Sequence, residues 1–173
     1  MNPMQQVRIE ELTLNIGAGK EQTVLEKGMT VIKSLTGIEP QKRITKKRIP
    51  SWGLRPGLPV GVRLTLRGSK ATDMLKRTLK AKEFKLSPRH FDNAGSISFG
   101  ITEHIEIEGA KYDPKIGVMG LQVCLTLEKP GFHVKRRRVR SAPVGKRQRI
   151  TKNESMAFMK DKFGVTVNEE DAA

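Results

Sequence analysis

Arg63, Thr65 and Arg67 stand at alternate positions among Val60, Val62, Leu64 and Leu66, the period of a strand with one apolar and one polar face. The polar face so made is cationic, and its chemistry is recognition of phosphate. Arginine forks onto phosphate oxygens, and threonine adds a hydroxyl hydrogen bond. The same stretch, residues 40–82, also carries Lys42, Arg43, Lys46, Lys47, Arg48, Arg55, Lys70, Lys76, Arg77, Lys80 and Lys82 against a single acid, Asp73. Charge of one sign at this density repels itself unless something anionic lies on it. A second basic stretch, residues 129–152, contains no acid and holds Lys135, Arg136, Arg137, Arg138, Lys146, Arg147 and Arg149.

Bond-making chemistry asks for converging groups, and the sequence offers none. His90, His104 and His133 lie in separate contexts without metal-ligand spacing, and each reads as a polar surface or RNA-contacting group. Glu103, Glu106, Glu108 and Asp113 reverse the local sign of charge but have no nucleophile or metal pattern beside them. They read as a solvated face or as the seat of a basic protein neighbour. The lone Cys124 forbids an internal disulfide, agrees with a reducing cytosol and reads as a small residue on the less apolar face of a strand. Gly17-Ala18-Gly19-Lys20 invites comparison with a nucleotide-binding loop. Its glycine spacing is wrong, and Glu21 follows the lysine where a Ser or Thr would hold magnesium. A tight strand-to-helix turn is the plainer reading, with an RNA phosphate at the helix start as the alternative. No enzyme activity, cofactor or metal is expected.

These residues need elements to hold them. Val7 and Ile9, then Leu12, Leu14 and Ile16, change parity near Glu10-Glu11, which predicts one bulged strand. The spacing of Val24, Leu25, Val31, Ile32 and Leu35 predicts a helix stopped by Gly37. Residues 41–45 look extended. Residues 46–59 form a Pro/Gly-rich basic loop around the sole tryptophan, Trp52, which either anchors the loop over the end of the core or stacks on a base or ribose. Ser69 can cap a helix that buries Ala71, Met74, Leu75, Thr78 and Leu79. Alternating strands follow at 96–101 and 121–127. The basic segment 129–150 reads as an irregular loop. Thr151 and Glu154 form a capping box for a helix over 152–163 that buries Met156, Met159 and Phe163 and ends at Gly164. A short strand at 165–167 and a frayed acidic tail, Glu169-Glu170-Asp171, close the chain.

With 173 residues, 36% hydrophobic, the chain suits a single domain over 1–173 with a packed core, and its +15 formal charge favours a polyanion as partner. A membrane suits it less well. No run approaches the ~18 apolar residues of a spanning helix, no signal peptide opens the chain, and the cations fall on a strand and loops rather than one amphipathic helix.

The run Leu14-Asn15-Ile16-Gly17-Ala18-Gly19, the pair Thr36-Gly37, the segment 55–61 leading to Thr65-Leu66-Arg67-Gly68, the run 91–96 with Phe99-Gly100-Ile101-Thr102-Glu103, and Tyr112-Asp113-Pro114 together resemble a ribosomal family. It is the large-subunit ribosomal protein that binds 5S rRNA, family five of the universal nomenclature. The likeness covers nearly the whole chain, and the extended basic segment is similar to the archaeal and eukaryotic branch. It implies an α+β fold, an antiparallel sheet with helices packed against it, in the central protuberance of a cytoplasmic ribosome's large subunit. It implies 5S rRNA and large-subunit rRNA as ligands, with Asn15, Thr65 and Arg67 on the rRNA and Lys20, Lys42, Arg43, Lys46 and Arg63 beside them. The loop carrying Lys47, Arg48, Trp52 and Arg55 resembles the part that reaches toward peptidyl-site tRNA. The stretch 107–120, with Glu108, Lys111, Tyr112 and Asp113, is similar to the part that bridges to a small-subunit head protein. Another 5S rRNA-binding protein is an expected neighbour. Ile38 stands where the family often has Gln after Thr-Gly, with Gln41 as a substitute.

An architectural nucleic-acid-binding protein outside the ribosome would share the charge, but the sequence offers neither a dimer helix nor an intercalating wedge. A phosphate-cleaving enzyme built on Gly17 to Lys20 would hydrolyse nucleotide. For any RNA ligand, neutralising ~6 to 10 phosphates predicts that binding falls by roughly three to five decades between about 50 and 200 mM salt on the duplex-DNA scale, somewhat less on irregular RNA. A salt titration of RNA binding checks this, and a flat response contradicts it.

Overall fold

Strand pairing turns the alternation of the sequence into two unlike sheet faces. The computed structural model describes residues 2–167. Its elements in chain order are β1 (Arg8–Gly17), α1 (Gln22–Thr36), β2 (Gln41–Ile44), β3 (Pro59–Leu66), α2 (Ser69–Ala81) and β4 (Lys85–Leu86). There follow β5 (Ile97–Ile101), β6 (Leu121–Glu128), α3 (His133–Arg136), α4 (Lys152–Phe163) and β7 (Thr166–Val167). Five strands form one antiparallel sheet in the order β2-β3-β1-β6-β5, and β4 pairs in parallel with β7. The α+β expectation is met.

Across the central strands Leu12 pairs with Leu66 and Leu125, Leu14 with Leu64 and Val123, and Ile16 with Val62. All of these are buried, and Ile97, Phe99 and Ile101 extend the same apolar face through β5. Onto it α1 buries Leu25, Val31, Ile32 and Leu35, and α2 buries Ala71, Met74, Leu75, Thr78 and Leu79. The helices therefore sit on one side of the sheet. Gly61 faces Gly17 across the β1–β3 pair because a Cβ there would stand 2.8 Å from the Ile16 carbonyl oxygen. The register between β1 and β6 slips between Ile9 and Glu11, the expected bulge.

Helix ends follow the sequence signals with one exception. Gly37 and Gly164 close α1 and α4 in the left-handed conformation, and Thr151 and Glu154 form the reciprocal capping box. The cap of α2 is not Ser69 but Gly68, whose φ of 66° and ψ of −142° suit glycine, and Ser69 becomes the first helical residue. In α4 the buried residues are Ser155, Phe158 and Met159, while Met156 and Phe163 are only half-buried. Met156 and Phe163 pack against the margin of the core, where the ring of Phe163 meets Phe158 edge-on at 6.2 Å between centroids. His104 is also not a surface group: it is 2% exposed, its Nδ1 accepts the Met119 amide at 3.2 Å, and its own amide donates to the Met119 carbonyl at 2.9 Å. The acidic tail expected at 169–171 lies outside the described residues. No helix among the described residues is long and apolar enough to cross a membrane.

Leu64→Ala should lower stability by ~2 to 5 kcal/mol, since Leu64 is 7% exposed against β1. Arg67→Ala, on the wet side, should change stability by less than ~1 kcal/mol. Thermal unfolding of both variants checks the assignment of faces, and swapped phenotypes would invert it.

Candidate nucleic-acid interface

The side of the sheet away from α1 and α2 carries polar side chains in rows set by the strand register. Asn15 stands between Arg63 on β3 and Gln122 on β6, Thr13 between Thr65 and Cys124, and Gln41 on β2 beyond Arg63. The row is cross-braced. Asn15 Nδ2 donates to Gln122 Oε1 at 3.4 Å, the Thr13 and Thr65 hydroxyls meet at 3.3 Å, and Arg63 donates an η N–H to Thr13 Oγ1 at 3.3 Å. Arg63 Nε is buried and has no acceptor, a cost that an incoming oxygen would remove. Glu11 is the acid of this face: it ion-pairs with Arg67 and lies 4.0 Å from Arg63. It offsets part of the repulsion that the sequence stretch 40–82 displays by itself.

The structure brings Asn15, Arg63, Thr65 and Arg67 together and places the other expected residues around them. Arg43 is paired with Gly61 at the edge of this face. Lys42 has the opposite parity, paired with core residue Val62, and lies on the helix side beside Glu26, Thr30 and Lys33 of α1. Lys46 follows β2, exposed. Lys20 leaves the β1–α1 turn and lays its side chain over Gly53, where a Cβ would meet Lys20 Cε at 2.6 Å. In that turn the amides of Ala18 and Gly19 both donate to the Val60 carbonyl, and an acid, Glu21, stands at the N-cap position of α1 without a side-chain capping bond. Residues missed from the sequence are Glu11, Thr13 and Gln122: parity sets each on the polar face of its own strand, and the pairing of β1 with β3 and β6 brings them beside Asn15 and Arg63.

In the loop 46–59, Ile49 and Leu54 exchange both backbone hydrogen bonds at 3.0 Å, closing a tight tip over Pro50–Trp52. Thr45 zips the base through the Leu58 carbonyl and the Gly57 amide. Trp52 does not cap the core: it is 66% exposed, and Leu54, 8% exposed, is the anchor. Lys47, Arg48 and Arg55 are exposed around it.

The second basic segment is pinned rather than loose. Lys129, with a side chain 4% exposed, donates to both carboxylate oxygens of Glu154 at 2.8 and 2.9 Å. Gln148 donates to the carbonyls of Met4 and Pro130, at 2.6 and 3.0 Å. Arg136, one of the cations of the second basic stretch, pairs with Glu128 and, at 3.0 Å, with Glu10 in the bulge, while Arg8 holds Glu128 from the other side at 2.6 Å. Its charge is spent within the fold. Arg137 donates Nε to the Arg140 carbonyl, and Lys135, Arg138, Lys146 and Arg147 remain exposed.

On the opposite side, the stretch 107–120 is tied to α2. Arg77 donates to the carbonyls of Glu108 and Leu35, and Lys80 pairs with the Glu108 carboxylate at 3.0 Å. Asp113 accepts the Lys115 amide at 2.9 Å, and Lys111 and Tyr112 stay exposed. The described residues contain no group of three or more His, Cys, Asp and Glu able to hold a metal ion.

Two family models match the chain: that of ribosomal protein L5 over residues 2–55, and that of the C-terminus of the same ribosomal family over residues 59–158. They meet in the Trp52 loop, yet β1 from the first pairs with β3 and β6 from the second. Among curated proteins, the large ribosomal subunit protein uL5 of Sulfurisphaera tokodaii is 44% identical over 170 residues, covering 98% of this chain and 96% of that one. The protein of the same name from Nanoarchaeum equitans is 44% identical, covering 96% and 98%. That from Pyrobaculum aerophilum is 44% identical, covering 96% and 93%.

The Lys129–Glu154 pair gives a pH signature. Burial pushes the Glu154 carboxyl up, but hydrogen bonds from Lys129 and the Thr151 amide outweigh it and hold the group below its ordinary value. A lowered folded value stabilises the fold above the unfolded pKa, and that contribution is lost as pH falls through the folded one. Glu154→Gln should therefore be less stable than the parent near pH 7, by about 1 to 2 kcal/mol from the lost charge-assisted hydrogen bonds with Lys129, and the difference should close in acid. Unfolding measured across this pH range checks it.

Proposed function

The chain belongs to the ribosomal protein L5 family, and we propose that it binds 5S rRNA on the polar face of its sheet and helps attach that RNA in the central protuberance. As a family member it is a constituent of the large subunit of the cytoplasmic ribosome, with a structural role and with ribosomal RNA and ribosomal proteins as partners.

The observation that carries the 5S rRNA reading is the row of Gln41, Arg63, Asn15 and Gln122, which holds a buried guanidinium nitrogen without an acceptor. Phosphate and ribose oxygens supply what this row lacks, and Arg67 and Arg43 add charge at its margins. Gln41 stands where it can replace the hydrogen bond that Ile38 lacks, since Ile38 is packed against the core. The exposed indole of Trp52, with Lys47, Arg48 and Arg55, is suited to a ligand that comes and goes, and we assign it to peptidyl-site tRNA. Lys111, Tyr112 and Asp113, carried on a stretch braced by α2, form the proposed bridge to a small-subunit head protein, with Glu108 largely committed to Lys80 and Arg77. Lys20 belongs with the loop it supports, and the exposed cations of the 129–150 segment belong with large-subunit rRNA or the margins of 5S rRNA.

The test compares 5S rRNA, tRNA and duplex DNA in filter binding at fixed salt. Arg63→Gln should weaken 5S rRNA binding by about tenfold to a hundredfold, Glu11→Gln should tighten it by freeing Arg63 and Arg67, and Lys76→Gln, on the helix side, should leave it within about twofold. Deleting residues 50–53 should also leave 5S rRNA binding nearly unchanged while loosening peptidyl-site tRNA. Equal affinity for 5S rRNA and duplex DNA, or a larger loss from Lys76→Gln than from Arg63→Gln, would overturn the reading.

A further inference from the structure

A cavity lies away from both the sheet face and the Trp52 loop, between the 92–94 turn and the second basic segment. It has a volume of about 690 Å³, within the ~300 to 1,000 Å³ of small-ligand sites. Its apolar lining comes from Phe132, Pro143, Val144 and Ile150, and its cations are Lys135 and Arg149.

The walls are built by specific bonds. Ala142 N donates to the Val134 carbonyl at 3.2 Å and Ser141 Oγ to the Lys135 carbonyl at 3.2 Å, tying the far wall to α3. Arg149 Nε donates to the Val144 carbonyl at 3.2 Å, and its own carbonyl lies 3.5 Å from Lys129 Nζ, the buried ammonium held by Glu154. The near wall is the turn closed by Gly95 N to the Asp92 carbonyl at 3.1 Å. Gly95 sits so tightly on Ile150 that a Cβ would meet Ile150 Cγ2 at 2.5 Å. The cavity is thus a product of the anchored segment.

Its cations, carboxylate and apolar floor set its chemistry. The ammonium of Lys135 and the η nitrogens of Arg149 have no acceptor among the described residues, and the whole stretch 129–152 lacks an acid. Across from them is one carboxylate, Asp92, of which one oxygen accepts the Asn93 amide at 2.7 Å. A site meant only for phosphate has no use for a carboxylate or for an apolar floor. A base has use for both: the floor for its ring and Asp92 for an exocyclic amine.

We propose that this cavity takes one unstacked nucleotide of the bound RNA, its base against Phe132, Pro143 and Ile150 and its phosphate on Lys135 and Arg149. This rests on the RNA-binding reading above but not on the sheet face being the 5S rRNA site. Seating one base adds a contact that charge alone cannot give, because it needs a base free of its stack.

The test follows the methyl resonances of Val144 and Ile150 in the full chain during titration with AMP, GMP, CMP and UMP, with ribose 5-phosphate and inorganic phosphate at matched ionic strength as controls. At least one nucleotide should give saturable shifts with a Kd of about 1 to 10 mM, and ribose 5-phosphate should bind at least about tenfold more weakly. Ala142→Trp, which fills the cavity from an exposed position, should abolish those shifts and weaken RNA binding about tenfold. Unmoved Leu12 and Val123 methyls would show that the variant is folded. Should it not fold, Lys135→Gln serves instead, weakening the nucleotide severalfold. Methyls that no nucleotide moves, or that phosphate moves equally, overturn the proposal, as does a folded Ala142→Trp that still binds nucleotide. Nucleotide shifts in a protein that fails to bind 5S rRNA would sink the 5S reading and leave the cavity proposal standing.

Discussion

The register of β1 against β3 is the constraint on which the rest depends. Pairing Leu14 with Leu64 and Ile16 with Val62 sets Asn15 beside Arg63 and Thr13 beside Thr65. A slip of one residue would drive Arg63 and Arg67 into the core and put Leu64 on the wet face, so hydrophobic burial and the cationic polar face are specified by the same pairs. The chain has limited freedom to slip. Gly17 and Gly61 pack so closely that no side chain fits at position 61, and the β1–β6 bulge fixes the other end of the strand.

Like charge gathered on one side raises the energy of the free fold, and the protein manages this unevenly. On the sheet face a single acid, Glu11, serves two arginines, which leaves net positive charge and an unsatisfied Arg63 Nε. At the start of β1 and the end of β6 the balance is fuller: Glu10 and Glu128 meet Arg8 and Arg136. The first arrangement leaves capacity for an anion. The second spends its capacity on holding the 129–150 segment in place, so that segment presents its remaining cations without the full ordering cost of a flexible tail.

Much of the architecture was legible in the sequence because its signals are local. Parity changes at Glu10-Glu11, the glycines at 37 and 164, and the Thr151–Glu154 spacing each depend on a few neighbouring residues. What escaped the sequence depends on residues far away in the chain. Nothing near His104 announces that the Met119 amide will meet its Nδ1, and nothing near Arg136 announces Glu10 from the opposite end of the chain. Gly68 takes the capping position from Ser69 through its backbone conformation, which no residue pattern encodes. Trp52 suits both anchor and probe by its size, and only the burial of Leu54 separates the two roles. The site behaves in the same way: Asn15, Arg63, Thr65 and Arg67 follow from strand parity and the family likeness, whereas Glu11 and Gln122 need the pairing of strands.

The central claim is that RNA lies on the sheet face and not on the helices. Arginine- and lysine-selective labelling of the full chain, with and without bound 5S rRNA and read residue by residue by mass spectrometry, tests it most directly. The account predicts that Arg43, Arg63 and Arg67 lose reactivity on binding while Lys76, Lys80 and Lys162 keep theirs. Protection of the α2 lysines with Arg63 left fully reactive would contradict it.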